Sequence, residues 1–258
     1  MAVIELKSLT NARDLGGTLT GDGYRLRPRL LLRSARLSRL SPADADTLRG
    51  AYALCGVLDL RTPMERAQMP DVAIDGVAPH DIPLVSEAVL GITHEEDTDR
   101  HLNNLSRLPG MEEMYARLMG EDALPAWRRV FALLQAERPG ALLWHCTAGK
   151  DRAGLVAAMT LYALDVPREA IYADYLKTNE AGAAHAEDSY RAMLQMSGDE
   201  TLAGRVRDLL LAKAAYLDAA FDAAVRSYGS VDGFLEKGCG LSPAARTAMK
   251  ERYCEKAE

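Results

Sequence analysis

The chain has 258 residues, of which 48% are hydrophobic, and its formal net charge is −6 at pH 7. A chain of this length can bury a sizeable core, and its negative charge gives no general attraction to nucleic acid. No apolar run approaches the roughly 18 residues of a membrane span, and the first nine residues lack an apolar export core. We therefore expect a cytoplasmic protein without nucleic-acid partners or stable membrane insertion. Secretion by a specialised route and the oligomeric state stay open.

Apolar runs and helix-start signals alternate along the chain. Short buried strands are predicted at residues 30–32, 56–60, 77–82 and 141–144. Helices are predicted to begin at Ser41-Pro42 and to cover residues 126–135, 153–164 and 167–176. This alternation predicts an α/β fold in which a central, mostly parallel sheet carries helices on both faces.

Two further regions have a distinctive composition. Residues 86–121 are polar and contain an acidic cluster (Glu95, Glu96, Asp97, Asp99) and an apolar stripe (Met111, Met114, Leu118, Met119). This region is either a lid over a functional site or a solvated excursion whose Met stripe packs on the core. Residues 183–224 are Ala-rich and periodic, which predicts helical hairpins that cap the fold. We expect one domain over residues 1–258.

The most informative stretch follows the last predicted strand. It reads His145-Cys146-Thr147-Ala148-Gly149-Lys150-Asp151-Arg152. The backbone between Cys146 and Arg152 is long enough to curl around a tetrahedral oxyanion with its N–H groups inward, and the guanidinium can close the ring with two parallel hydrogen bonds. We therefore predict that residues 147–150 and Arg152 bind phosphate.

Cys146 has the chemistry of a nucleophile for this loop. Only the thiolate attacks phosphorus, and an ordinary thiol is mostly protonated at neutral pH. The helix N-terminus, Lys150 and Arg152 all favour the anion. The alternative interpretation is that Cys146 is a small buried hydrophobe at the end of a strand.

This loop resembles the signature of the cysteine-dependent protein tyrosine phosphatase superfamily, in the bacterial branch whose loop reads His-Cys-x-x-Gly-Lys-Asp-Arg. Other segments resemble the same branch across nearly the whole chain: residues 11–17, 32–38, 57–62 with Glu65, 175–179 and 228–232. The resemblance implies a phosphatase-like α/β fold and hydrolysis of phosphate monoesters through a phosphocysteine, without a cofactor. It also implies protein phosphotyrosine as substrate, with serine/threonine or phosphoinositide activity in addition.

A proton must reach the leaving oxygen in such a reaction. Asp151 is the favoured general acid because it lies in the loop itself, as in the branch that the chain resembles. Asp59, at the end of a predicted strand, is the second candidate, and its alternative role is to pair with Arg61 or position a loop.

Three more residues are interpreted as structural support. His145 points away from Cys146 and is expected to hydrogen-bond to backbone behind the loop. Arg13 and Asp14 are expected to form an ion pair that pins the N-terminal segment near the site. The histidines do not pair with cysteines or carboxylates at metal-binding spacing, so no metal site is predicted.

One position departs from the family pattern. Ala153 stands where the family usually has a serine or threonine whose hydroxyl assists the departure of the cysteine, so hydrolysis of the phosphoenzyme is expected to be slower. Two other functions compete with phosphatase activity. A rhodanese-like sulfurtransferase usually has a shorter loop, and a non-catalytic phosphate-binding module would not need Cys146, Asp151 and Arg152 intact.

Overall fold

The computed structural model describes residues 2–4, 6–86 and 110–257. Its strands are β1 (Ala2–Val3), β2 (Arg13–Asp14), β3 (Tyr24–Leu26), β4 (Leu31–Ser34), β5 (Leu54–Asp59), β6 (Ala78–Asp81), β7 (Ala141–His145) and β8 (Cys254–Lys256). Six of them form a central sheet in the order β1-β2-β4-β7-β5-β6. The pairs among β4, β7, β5 and β6 are parallel, and β1 and β2 are antiparallel additions at one edge. The four predicted strands and the mostly parallel sheet are confirmed.

The helices are α1 (Pro42–Ala51), α2 (Pro63–Gln68), α3 (Met111–Arg117), α4 (Leu124–Gln135), α5 (Asp151–Ala163), α6 (Arg168–Ser197), α7 (Glu200–Leu210), α8 (Ala214–Tyr228) and α9 (Pro243–Tyr253). Shorter helical turns cover Glu121–Ala123, Val231–Gly233 and Phe234–Gly238. The predicted start of α1 is confirmed, because the Ser41 hydroxyl accepts a hydrogen bond from the Asp44 N–H and Pro42 occupies the first turn. Among the described residues, no helix combines the length and apolar character needed to cross a bilayer.

The central strand β7 is apolar on both faces, as expected for a parallel strand covered by helices on each side. Ala141 and Leu143 join a smaller hydrophobic cluster that includes Leu48 of α1. Leu142 and Trp144 join the larger cluster, to which α4, α5 and α8 contribute. Both faces of β7 are thereby closed to water, and its carboxyl end opens onto a loop.

The predicted helix over residues 167–176 is too short. Helix α6 runs for 30 residues without a break and ends at Gly198, whose positive φ of 65° suits glycine. Polar residues just beyond the predicted end bond to other parts of the chain. Thr178 Oγ1 accepts a hydrogen bond from Arg13, and the Asn179 amide exchanges two hydrogen bonds with the backbone of Ala212. The hairpin predicted within residues 183–224 is therefore formed by the second half of α6 and by α7.

The apolar stripe after the acidic cluster packs on the core. Met111, Leu118 and Met119 are buried, and the Leu118 carbonyl accepts a hydrogen bond from the Trp127 indole N–H at 2.8 Å. This part of the region therefore matches the packing interpretation. The cluster Glu95, Glu96, Asp97 and Asp99 lies outside the described residues.

Candidate active site

Cys146 follows directly after β7, at the carboxyl end of the central strand. It belongs to the same hydrophobic cluster as Leu142 and Trp144, which places it on their side of the strand, whereas His145 is on the opposite side. The cysteine is only 2% exposed. It therefore lies at the base of the loop that links β7 to α5.

Gly149 forms the turn of this loop. Its φ is +70°, and a Cβ atom placed there would lie 2.5 Å from the carbonyl oxygen of Ser34 in β4. Both the backbone conformation and the lack of space require glycine at this position. The loop can therefore close tightly against the neighbouring strand.

Three segments hold the carbonyl groups of the loop outward. Arg33 Nη2 donates to the Gly149 carbonyl at 2.6 Å, and Asn11 Nδ2 donates to the Ala148 carbonyl at 3.0 Å. The backbone N–H of Arg36 donates to the Thr147 carbonyl at 3.2 Å. The backbone N–H groups of residues 147–150 meet no acceptor within the described ranges, and the first turn of α5 adds further N–H groups without an intrahelical acceptor. The loop is an anion cradle with a thiol at its base.

Arg152 is held by a carboxylate that the sequence did not mark as a site residue. Its Nη1 and Nη2 donate to the two oxygens of Glu65 at 2.5 and 2.7 Å, and the Thr147 hydroxyl also donates to Glu65. Although burial disfavours charge, the hydrogen bonds that Arg152 donates to Glu65, together with its electrostatic interactions with Cys146 and Glu65, raise the pKa of Arg152. The guanidinium is therefore fixed in position and charged at all accessible pH values.

Glu65 is in turn fixed by the start of α2. Its carboxylate accepts the Thr62 N–H while the Thr62 hydroxyl accepts the Glu65 N–H, which is a capping box. Burial alone would raise the pKa of Glu65, but the hydrogen bonds and charge of Arg152 outweigh it and lower the pKa to about 2. In the sequence, Glu65 was noted only with residues 57–62 as a segment that resembles the family branch, without a role of its own.

Lys150 is buried and does not extend freely into the loop. Its Nζ donates to the carbonyls of Leu209 and Leu211 at 2.5 and 3.2 Å, and it lies 3.3 Å from Asp151 Oδ1. The Leu209 carbonyl belongs to the last turn of α7, where unpaired carbonyls attract cations. Lys150 thus links the loop to the end of the α6–α7 hairpin.

Asp151 is the first residue of α5 and is held by a pair of tyrosines. The Tyr115 hydroxyl donates to Asp151 Oδ1 at 2.7 Å and lies 2.6 Å from the Tyr175 hydroxyl. Burial, together with the charge of Asp151, raises the pKa of Tyr115 well above its usual value. Tyr115 therefore remains a hydroxyl donor, and its hydrogen bond fixes one oxygen of Asp151 and leaves the other available.

Asp59 lies on the other side of the sheet from Cys146. Its carboxylate accepts hydrogen bonds from Arg61 Nε at 2.9 Å and Arg61 Nη2 at 2.7 Å. Arg61 also pairs with Asp71, whose Oδ2 lies 2.9 Å from His145 Nε2. This geometry matches the positioning role that was the alternative for Asp59.

His145 has a backbone contact and an acidic neighbour. Its Nδ1 lies 3.3 Å from the Cys146 carbonyl oxygen, consistent with the predicted bond behind the loop. Sequence spacing did not reveal that Asp59, Asp71 and His145 converge, with one potential ligand atom from each within 4.8 Å of the others. Arg61 pairs with both carboxylates and supplies positive charge there, and the absence of a metal site stays a prediction.

The predicted Arg13–Asp14 ion pair is wrong. Adjacent residues on a strand point to opposite sides. Arg13 Nε donates to Asp174 of α6 at 3.0 Å, and Asp14 accepts the backbone N–H groups of Gly16 and Arg29. Both residues are buried and support the N-terminal segment, each through partners of its own.

Asp174 also pairs with Arg33, the side chain that holds the Gly149 carbonyl. Arg33 Nη1 donates to Asp174 Oδ2 at 2.6 Å, and all three side chains of this group are almost fully buried. Burial and the charge of Arg33 lower the pKa of Arg13 to about 10, while Asp174 acts in the opposite direction. A single carboxylate on α6 therefore anchors two arginines beneath the loop.

Comparison with known proteins agrees with this geometry. The tyrosine phosphatase family matches residues 4–255 of the chain. Triple specificity protein phosphatase PtpB of Mycobacterium tuberculosis is 33% identical, over 97% of this chain and 98% of its own length. A tyrosine-protein phosphatase of Nostoc commune is 30% identical, over 86% of this chain and 73% of its own length. The chain belongs to the tyrosine phosphatase family. It is a phosphoric monoester hydrolase, and the sulfurtransferase alternative is not favoured.

In this phosphatase the position after Arg152 is apolar and enclosed. Ala153 is fully buried, and its carbonyl accepts the Trp144 indole N–H at 3.1 Å. The hydroxyl of Thr147, which lies in the same loop, donates to Glu65. Ala153 has no hydroxyl and the Thr147 hydroxyl is engaged by Glu65, so neither residue supplies a hydrogen bond to the Cys146 thiol.

Proposed function

We propose that this phosphatase hydrolyses phosphate monoesters through a phosphocysteine on Cys146. The observation that carries this proposal is the loop itself, because one short segment joins a buried thiol, outward-held carbonyls and a fixed guanidinium. The Cys146 sulfur attacks phosphorus, and the S–P bond forms as the bond to the leaving oxygen breaks. Water then attacks phosphorus and releases phosphate and the thiolate.

Arg152 and the loop amides stabilise the phosphoryl oxygens in both steps. Arg152 Nη1 and Nη2 donate to Glu65, and the same nitrogens lie 3.4 Å from the Leu60 carbonyl oxygen and 3.5 Å from Thr147 Oγ1. The Nε–H, which has no partner among the described residues, is thereby left for the substrate. Because Glu65 fixes the guanidinium before substrate arrives, little ordering is needed during the reaction. Lys150 adds positive charge at the start of α5.

Asp151 acts as the general acid in the first step and as the general base in the second. Tyr115 donates to Oδ1, so the transferable proton is carried on Oδ2. That proton passes to the leaving oxygen, and the attacking water later returns a proton to the same oxygen of Asp151. Asp59, which is bonded to Arg61, keeps a positioning role.

We propose protein phosphotyrosine as the main substrate, with phosphoserine, phosphothreonine or phosphoinositides as additional ones. The support is the family and the name of its relative, triple specificity protein phosphatase PtpB. Phosphorylated proteins and phosphoinositides both present a phosphate monoester to the same loop. The active protein is proposed to need no cofactor.

The test is turnover by Cys146→Ser and Asp151→Asn. Cys146→Ser should lose at least about four orders of magnitude in kcat, because a serine hydroxyl is too weakly acidic to replace the thiolate. Asp151→Asn should slow alkyl phosphates more than para-nitrophenyl phosphate, whose leaving group needs little protonation. Near-normal turnover by Cys146→Ser would contradict the mechanism, and equal losses on both substrates would remove Asp151 as the acid.

A further inference from the structure

A groove of about 670 Å³ borders the outer side of the catalytic loop. Thr147, Ala148 and Lys150 of the loop form part of its wall. Three more cationic side chains line it, namely Lys7, Arg36 and Arg39. The described residues that line it include no carboxylate, although the chain as a whole has a net charge of −6. The groove is therefore a local positive region on a negative protein.

Within the described residues, the side chains of these added cations have no carboxylate partner. Lys7 and Arg39 are exposed, and neither side chain has a hydrogen bond or ion pair with any residue that the structure describes. Arg36 Nε donates to Ser38 Oγ at 3.2 Å, and its two Nη atoms have no partner in the same ranges. The arginines beneath the loop, in contrast, are all paired with carboxylates. Unpaired cations in a groove attract an anionic ligand.

The segment that carries these cations is tied to the catalytic loop. The Arg36 N–H donates to the Thr147 carbonyl at 3.2 Å, and Arg39 follows three residues later. On the N-terminal side, Asn11 donates to the Ala148 carbonyl at 3.0 Å. A phosphate in the loop would thus have a second anion-binding region beside it.

We propose that Lys7, Arg36 and Arg39 form a subsite for a second phosphate group on the substrate. This inference rests on the proposed function, because it assumes that the first phosphate occupies the loop. The favoured ligand is a bisphosphorylated polyol headgroup. Among the described residues, no Phe, Tyr or Trp side chain lines the groove to stack on a phenyl ring. Its volume is that of a pocket for a small ligand rather than an extended peptide.

The first experiment measures binding without turnover. In the Cys146→Ser background, calorimetry compares a soluble inositol bisphosphate with the matched monophosphate. The double variant Arg36→Ala/Arg39→Ala should weaken bisphosphate binding about tenfold and monophosphate binding less than about twofold, since only the second phosphate loses its partners. Arg226→Ala, an exposed arginine in the last turn of α8, is the matched control and should change neither.

The second experiment measures turnover with the otherwise native chain. The double variant should raise KM for the bisphosphate and leave kcat/KM for para-nitrophenyl phosphate unchanged. The subsite would be overturned if the Cys146→Ser protein bound the bisphosphate and the monophosphate with equal affinity. It would also be overturned if the double variant lost the same factor in affinity for both ligands. An arginine-dependent preference confined to a doubly phosphorylated peptide would overturn the headgroup assignment. If the native chain bound the bisphosphate selectively through these arginines but hydrolysed no phosphate monoester, the proposed function would be contradicted and the subsite would stand.

Discussion

Positive charge is organised in two different ways on either side of the catalytic loop. Beneath it, Arg13 and Arg33 share Asp174, and Arg152 is held by Glu65, all with little solvent exposure. In the groove outside, Arg36 and Arg39 have no carboxylate partner in the described part of the chain. Pairing fixes the arginines beneath the loop in position, including Arg152, which is proposed to bind phosphate from a fixed position. The arginines in the groove have no such anchor and remain available to attract ligands.

The presence or absence of a carboxylate partner has different energetic consequences for buried and for exposed arginines. A buried cation without a partner would cost several kcal/mol, so the interior arginines depend on their carboxylates. An exposed cation loses little when its partner is absent, and its attraction for a ligand is screened by salt. Substitutions beneath the loop should therefore affect folding and rate strongly.

The largest effect is expected from Asp174→Ala. It leaves Arg13 and Arg33 buried without their carboxylate, so we expect a loss of about 3–5 kcal/mol in the free energy of unfolding, measured by urea denaturation. The control is Asp218→Ala, which breaks the exposed pair with Arg168 and should cost less than about 1 kcal/mol. Similar losses of unfolding free energy in Asp174→Ala and Asp218→Ala would show that buried and exposed arginine pairs contribute equally to stability.

Arg152→Lys should be next in size. A lysine carries the same charge but cannot bond to Glu65 and phosphate through a planar fork, so kcat should fall about 10²- to 10³-fold. Steady-state hydrolysis of para-nitrophenyl phosphate measures this, with Arg226→Lys as the control. Unchanged kcat would show that charge alone suffices at this position.

Glu65→Gln tests the pairing through pH. The pKa of Glu65 is lowered from 4.5 to about 2, so its ionised form stabilises the fold above pH 4.5. This contribution, about 3 kcal/mol, is lost as pH falls toward 2. The difference in unfolding free energy between wild type and variant should therefore shrink between pH 4.5 and 2. The exposed pair of Glu113 with Arg117 gives the control Glu113→Gln, which should change the free energy of unfolding at pH 7 by less than about 1 kcal/mol.

The smallest effect concerns Ala153, the apolar position beside the fixed guanidinium. If dephosphorylation is slow there, wild type should show a burst of alcohol product before steady turnover, and Ala153→Thr should raise kcat about tenfold. Rapid-mixing kinetics measure both. A linear time course together with an unaltered kcat in the variant would show that another step limits turnover.

Local pattern predicted the strands and the loop well, because apolar runs and the spacing from Cys146 to Arg152 are properties of neighbouring residues. It did not predict the carboxylates that support the loop. Glu65 is 87 positions from Arg152, and Asp174 is 161 positions from Arg13. Which distant side chains meet depends on strand order and helix docking, and periodicity specifies neither.

Errors in the sequence predictions have the same origin. The helix was predicted to cover residues 167–176, but α6 continues to Ser197, and the side chains of Thr178 and Asn179 bond to Arg13 and Ala212. Arg13 and Asp14 are neighbours in sequence, yet they have different partners. In both cases the polar side chains bond to partners from another element of the fold.

The sharing of Asp174 also bears on the order in which the protein folds. Arg13 and Arg33 belong to the first strands to be synthesised, and the carboxylate that compensates them is made about 140 residues or more later. Until α6 docks, burying those strands would isolate two positive charges, so an early fragment has no stable way to complete the sheet. Folding should therefore be cooperative across the chain, and the thiol should acquire its anion cradle only once most of the protein is present.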